Sequence, residues 1–374
     1  MLPPPSAFTL PRGPLPAAPP GLAVRLVLGL RRVLQRAADA LAPADLVVLE
    51  QLVGIGRTAM LGAVARHGLP DLLGERAMTA AEIASGAGLD ADLVHRTLRA
   101  LAAGGVFTMH DDGRFANNRL SRALRGGVPS RLREFAVYFA SHSNASAWVD
   151  FARTLETGSS PFERVHGTTV WEWFDAHPDE REIFAHAMMG ITIQTAPVIA
   201  ALTPLEDVAV LCDVGGGRGT LLSEILLRHR HLRGILVESE GVLGSARTVL
   251  DGRGVGDRVE LVAGSFFERV PAGADAYLMK NVLHDWDDPT CAVILGTVAR
   301  AAAPGARLFV CESIVERTCR EALATWSDLQ MAVACKEGRE RGVDELRRLG
   351  EAAGFRFVRE HAHPIISVLE MVRR

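Results

Sequence analysis

Cysteine is scarce and shows no pairing pattern: Cys212, Cys291, Cys311, Cys319 and Cys335 are odd in number, with no C-x-x-C pair and no histidine-rich ligand spacing beside them. That excludes a disulfide framework and a structural zinc site, and reads as reduced thiols in the core of a cytoplasmic protein. Charge of one sign is also lacking. The net charge is −3 over 374 residues and the pI is near 6.5, so the bulk electrostatics recruit neither nucleic acid nor an acidic membrane surface. No group of carboxylates is spaced to offer Mg²⁺ its several oxygen ligands. A signal peptide needs an unbroken apolar run, and Arg25 interrupts the N-terminal one, so neither a leader nor an integral membrane segment is expected. What remains is a protein whose partner is a small molecule.

With 48% apolar residues the chain can bury an ample core, and its length fits two domains. The first twenty residues hold eight prolines, which predicts a disordered tail. Gly21 to Ala40 then gives a basic amphipathic helix, with Arg25, Arg31, Arg32 and Arg36 set among leucines. A membrane-surface helix and a dimer arm both fit, and the arm, its leucines buried by a partner subunit, is the reading preferred. From Ala44 to about Ala123 two short helices, the second capped by Asp90, precede two strands around an Asp-Asp-Gly turn, which is a winged-helix pattern. A winged helix often binds DNA, but Arg96 and Arg99 among His95, Leu98 and Leu101 make a poor basic stripe.

Pro129 to about Leu202 reads as helices rich in bulky residues, among them Tyr138, Trp171 and Met188. Aromatics and methionines at helical spacing serve as core or as the lining of a pocket for a flat substrate. Pro204 marks a hinge into the last domain.

The chain is organised around Val208 to Gly219, VAVLCDVGGGRG, followed by an apolar helical run. A buried strand turning sharply into a helix through glycines is a nucleotide-binding turn, because a backbone that bends tightly and approaches a ligand has no room for Cβ. Asp213 would repel a pyrophosphate there, so a cationic or neutral ligand fits better. The next strand ends in Glu238, at the spacing where an acid reaches the ribose hydroxyls of an adenosine ligand. S-adenosyl-L-methionine carries adenosine, a sulfonium and an amino acid but no phosphate, and satisfies both carboxylates. Strands are expected near 208–213, 233–238, 258–263, 276–281 and 306–312, alternating with helices as in a parallel sheet, and the last eighteen or so residues form an antiparallel pair.

In order, DVGGGRG, GSFFERVPAGADAYLMKNVLHDWDD, LFVCES, GRER and EAAGF resemble the caffeate-type family of plant and bacterial small-molecule O-methyltransferases, from Asp213 to the C-terminus. The resemblance implies an α/β fold: a Rossmann-like S-adenosylmethionine-binding domain with a C-terminal antiparallel hairpin, preceded by an α-helical winged-helix dimerisation domain. The expected division is a tail and helix at 1–43, the winged-helix domain at 44–125, a helical substrate-pocket region at 126–203 and the catalytic domain at 204–374. It implies a homodimer in which the winged-helix module helps close the neighbouring subunit's substrate pocket. His284, just past the fourth strand, either caps the following helix or, as in the family, takes the proton from the substrate hydroxyl; Glu312 and Glu340 match the family's supporting acids. For the cofactor the resemblance assigns Asp213, Gly215, Gly217, Glu238, Phe266 to stack on adenine, Lys280, and Ser265 in place of the family's aspartate. Tyr138, Trp171, Met188 and Trp286 are candidates for gripping the substrate.

The expected activity is therefore metal-independent methylation of a hydroxyl, phenolic by preference, on a small aromatic or polyketide-like molecule. Two rivals are a family member that keeps the cofactor site for other tailoring chemistry and a winged-helix regulator that senses a small molecule.

Overall fold

The computed structural model describes residues 10–315 and 322–374, so Cys319 lies outside the described residues. The chain divides into two compact units, one of Leu26–Ala145 with Phe174–Ile191, the other of Leu10–Arg25, Ser146–Trp173 and Thr192–Arg374. The stretch 126–203, expected as one helical region, is thus shared between the units. Their boundary falls inside the helix Pro178–Leu202 and not at Pro204. That helix is long and apolar enough to span a bilayer by length and composition, and 61% of its apolar window is buried within the protein.

In the first unit, local chemistry sets each helix start. The hydroxyl of Thr79 accepts from Glu82 N while the Glu82 carboxylate accepts from Thr79 N, a reciprocal cap for Ala80–Ala87. Asp90 accepts from Leu93 N and starts Ala91–Ala103. Strands β1 (Phe107–Met109) and β2 (Phe115–Asn117) pair antiparallel around a turn whose Gly113 has φ +80°, completing the winged helix. Val64, Leu73, Ile83, Leu98, Leu101 and Phe115 form its core.

Among the described residues the second unit holds seven further strands: β3 (Val210–Val214), β4 (Arg233–Glu238), β5 (Val259–Ala263), β6 (Ala276–Lys280), β7 (Arg307–Glu312), β8 (Phe355–His361) and β9 (Ser367–Arg373). Their order is β5-β4-β3-β6-β7-β9-β8, parallel through β7 and antiparallel at β9 and β8. Near-continuous apolar runs explain the central position of β3, β6 and β7, whose residues are buried on both faces. Because β4 and β6 flank β3, chain connections leave it in opposite directions, and the crevice at its carboxyl end is where ligands of open α/β sheets sit.

The tail is corrected by the structure. Residues 10–20 do not form a helix or a strand, as their prolines dictate, yet they lie against the second unit with Leu15 only 6% exposed. Leu15 N donates to both oxygens of Glu224 (3.1 and 3.0 Å), Arg228 Nη2 donates to Leu15 O, and Arg253 Nη1 donates to Pro11 O, each at 2.9 Å. Composition showed that these residues make no regular element; it did not show that two arginines would satisfy their free carbonyls. The following helix, Gly21–Leu41, forms as expected with no residue buried, leaving Leu22, Leu26, Leu30 and Leu34 exposed. The described cysteines Cys212, Cys291, Cys311 and Cys335 are free and buried.

Candidate active site

The glycine turn follows β3 directly. Gly215, Gly217 and Gly219 all take positive φ (+70°, +56° and +73°), which only glycine adopts cheaply. Gly216 is needed for space, since a Cβ there would meet the Asp213 Oδ2 atom at 2.5 Å. Asp213 therefore lies directly beneath the turn. Its carboxyl is buried at 2% exposure, and Oδ2 has no hydrogen-bond partner. Burial, with the neighbouring Glu238 charge, pushes its pKa up to about 7 against the pull of Lys280. Glu238 ends β4 and accepts from Gly217 N (3.0 Å) and Ser239 N (2.8 Å), so each oxygen keeps a lone pair to offer outward. The Phe266 ring stands 3.4 Å from where a Gly215 Cβ would be, which places it over the turn. Ser265 Oγ accepts from Phe267 N at 3.3 Å. Lys280 ends β6, where burial draws its ammonium below the ordinary value while Glu312, Asp213 and Glu340 oppose that shift.

A second cluster lies one strand over. His284 is in the short 3₁₀ turn Leu283–Asp285 after β6 and is 9% exposed. The turn is bound on every side. Glu312 Oε1, at the end of β7, accepts from Val282 N and Leu283 N; Arg341 donates to the carbonyls of Leu283 and Trp286; Arg339 N donates to the His284 carbonyl at 2.8 Å. Gly338 lets that segment approach, since a Cβ there would lie 3.0 Å from the same carbonyl. The helix after the turn, Asp288–Ala301, is capped by Asp287, whose carboxylate accepts from Thr290 N, so His284 is not its cap. Glu340 is not spent on its arginine neighbours either, because Arg339 and Arg341 both pair with Asp288.

His284 Nδ1 faces Glu340 Oε1 at 3.0 Å and Glu312 Oε2 at 3.8 Å. Nδ1 thus carries the ring hydrogen. Nε2, 3.5 Å from Asp285 Oδ1, is the nitrogen left to take a proton. Burial lowers the imidazole pKa, but Glu312, Asp285 and Glu340 together outweigh it and raise it to about 10. Burial likewise raises Glu312 to about 7 and Asp285 to about 6 against the opposing imidazole charge. The ligand-capable atoms of His284, Glu312 and Glu340 lie within 4.8 Å of one another, near enough to enclose a divalent ion. Such an ion would have to displace the hydrogen that Nδ1 shares with Glu340.

Trp171 and Trp286 stack with centroids 6.2 Å apart, and Phe267 meets Trp286 edge-on at 4.9 Å. Both tryptophans line a cavity of about 240 Å³ together with Asp285, Cys335 and Glu337. Tyr138 and Met188 belong to the other unit, where Tyr138 is buried among Phe139, Phe174 and Phe184, and Met188 is half-buried. Sequence reasoning missed Asp285, Gly216, Gly338 and Arg341. Asp285 stood in the HDW motif itself, where an acid next to the histidine was the available signal.

The glycine turn, the Glu238 carboxylate beside it and the buried orphan oxygen on Asp213 suit a ligand that is cationic and lacks phosphate. Fold and site together define an S-adenosylmethionine-dependent methyltransferase. Residues 147–356 match the O-methyltransferase domain and residues 49–126 the O-methyltransferase dimerisation domain. The chain belongs to this O-methyltransferase family, and it is an S-adenosylmethionine-dependent O-methyltransferase. It is 36% identical over 323 residues to the mitomycin biosynthesis 6-O-methyltransferase of Streptomyces lavendulae, across 86% of this chain and 91% of that relative. The solved structure of mitomycin 7-O-methyltransferase superposes with a TM-score of 0.84 at 34% identity, covering 91% of this chain and 100% of that one. An O-methyltransferase from neocarzinostatin biosynthesis, solved with S-adenosylmethionine and 2-hydroxy-5-methyl naphthoic acid, gives a TM-score of 0.75 at 31% identity over 85% of this chain and 96% of its own.

Proposed function

We propose that this enzyme methylates a phenolic hydroxyl of a small aromatic or polyketide-like metabolite, with His284 as the general base. The observation that carries the reading is the 3.0 Å contact between His284 Nδ1 and Glu340 Oε1: a carboxylate accepts, so this contact favours the hydrogen on Nδ1 and assigns proton acceptance to Nε2. Trp171 and Trp286, which line a cavity with Asp285, offer flat apolar surface to a ring, and the neocarzinostatin-biosynthesis relative was solved with 2-hydroxy-5-methyl naphthoic acid.

Asp213, Gly215, Gly217, Glu238, Ser265, Phe266 and Lys280 would hold S-adenosylmethionine, which when bound supplies an electrophilic methyl on a sulfonium. In this reading Glu238 accepts from the ribose diol and Phe266 stacks on the adenine. Replacing Glu238 with alanine removes that acceptor and releases Gly217 N and Ser239 N. Affinity for both S-adenosylmethionine and S-adenosylhomocysteine is expected to fall by roughly tenfold or more, as lost hydrogen bonds to a charged group imply. Equal titration isotherms for the two proteins would remove Glu238 from the site.

The base is matched to its task by its surroundings. An unperturbed imidazole near 6.5 lies about 3.5 units below a phenol near 10, a cost of about 5 kcal/mol for complete proton transfer. Raised to about 10, the His284 imidazole meets a phenol on nearly level terms. Asp285 and Glu312 then stabilise the imidazolium that forms. The price is a ring largely protonated at neutral pH, so the rate is expected to climb with pH on the acid side.

The dimerisation domain and the exposed leucines of Gly21–Leu41 support a homodimer, and the free buried thiols support a reducing cytoplasm. The test of the activity is transfer of labelled methyl from S-adenosylmethionine to a panel of hydroxylated, aminated and unsubstituted aromatic acids and quinones, with products located by mass spectrometry. Label appearing on oxygen is expected. Label confined to nitrogen or carbon acceptors would overturn the hydroxyl assignment, and a light-scattering mass of one chain instead of twice 40.2 kDa would overturn the dimer.

A further inference from the structure

We propose that Ser327 is a positioning residue that sets how firmly His284 holds its proton, acting through Glu340. The inference rests on the reading of His284 as base. Ser327 lies on the helix Ala322–Ala334, and its Oγ donates to Glu340 Oε1 at 2.6 Å. That same oxygen faces His284 Nδ1 at 3.0 Å. The next residue, Asp328, accepts from Glu340 N at 2.9 Å. Two successive residues of one helix thus hold Glu340 by side chain and by backbone. Among the described residues Glu340 Oε1 takes two donors while Oε2, buried, takes none, so the hydroxyl and the imidazole orient the carboxylate.

A hydroxyl at this distance from a carboxylate makes a short, charge-assisted bond. It draws negative charge from the very oxygen that clamps Nδ1, and so weakens the carboxylate's hold on an imidazolium. The other charged groups around the ring are Glu312 from β7 and Asp285 from the same turn, and Lys280 from β6 faces Glu312 and Glu340. Asp328, outside the ring, itself feels the charges of Glu340, Arg339 and Glu345. Ser327, by contrast, is a neutral group that shares Glu340 Oε1 with the His284 hydrogen bond, so its removal changes the ring's proton affinity without changing the charge of the site.

Ser327→Ala is expected to lower kcat at pH 7 by about tenfold and to move the acidic limb of the kcat–pH profile upward by about one unit, so that the loss vanishes at high pH. Threonine at 327 should restore both, since it keeps the hydroxyl, and the affinity for S-adenosylmethionine should not change. In a His284→Gln background the second substitution Ser327→Ala should add no further loss, because the group it acts through is gone. Should the alanine variant fold poorly, Ser327→Cys, a weak donor of similar size, serves the same comparison. If His284→Gln keeps near-full activity, the base assignment itself fails. If His284→Gln is impaired but Ser327→Ala leaves the limb where it was, loses activity equally at all pH values, or loses as much in the His284→Gln background, then Ser327 only packs and the inference is overturned.

Discussion

His284→Gln should lower turnover at neutral pH by about 10²-fold or more while keeping the fold and the affinity for S-adenosylmethionine. Glutamine approximates the imidazole's size, and Glu312, Arg339 and Arg341 hold the turn through its backbone groups, so the turn has no reason to move. What is lost is a nitrogen able to take a proton. The deficit should shrink as the pH nears a phenol's own pKa of about 10, because a substrate ionised in solution needs no base. Glu340→Gln separates the two roles: it removes a charge that raises the imidazole, so the acidic limb should move down, with a smaller loss of rate. Initial rates of labelled methyl transfer across pH give both results. Near-full activity of His284→Gln at neutral pH would leave proximity and alignment, which can supply roughly 7–11 kcal/mol, as the whole of the catalysis.

The parts of this protein that could be read from sequence are those fixed by local pattern. The strand ends that carry Asp213, Glu238 and Glu312 were placed within a residue or two because each closes an apolar run, and the run itself is buried. Asp90 and the Gly113 turn follow from capping and turn chemistry in the same way. His284 was ambiguous for a physical reason: a histidine after a strand and before a helix fits a cap as well as a site, and the position of Asp287 on Thr290 N removes the cap. Contacts between residues distant in sequence left no such signal. Ser327 approaches Glu340 because a helix happens to pass there, and the docking of Leu15 on Glu224 joins positions 209 residues apart. The region 126–203 was read as one body because helix follows helix along it. Which unit each helix packs with depends on faces that a one-dimensional pattern does not distinguish.

Glu224→Ala is expected to be the most destabilising of the substitutions considered. Glu224 is wholly buried on the helix Thr220–Arg228, where it accepts from Arg228 Nε, from the Arg253 guanidinium and from Leu15 N. Arg253 is itself 1% exposed, and burial lowers its pKa against the opposing pull of Glu224. Alanine would leave that cation buried without its counter-charge, a change that typically costs about 3–5 kcal/mol, against a total stability of about 5–15 kcal/mol. In a unit of this size the midpoint of thermal unfolding should fall by roughly 10 °C. Removing residues 1–19 should cost less, because it takes away the Leu15 side chain, worth about 1.5–3 kcal/mol, the Leu15 N–H bond to Glu224 and the carbonyl acceptors of Pro11, Leu15 and Pro19 while leaving the Glu224 ion pairs with Arg228 and Arg253 intact. The N-cap of that helix is Gly219, the last glycine of the turn proposed to hold the cofactor, so below its melting point the Glu224 variant should also bind S-adenosylmethionine more weakly than the truncated chain does. Calorimetric melting of the three proteins, each with and without S-adenosylhomocysteine, measures both effects. A Glu224→Ala midpoint within about 2 °C of the parent would show that the buried arginine finds water or another partner, and that the acid does not hold this helix in place.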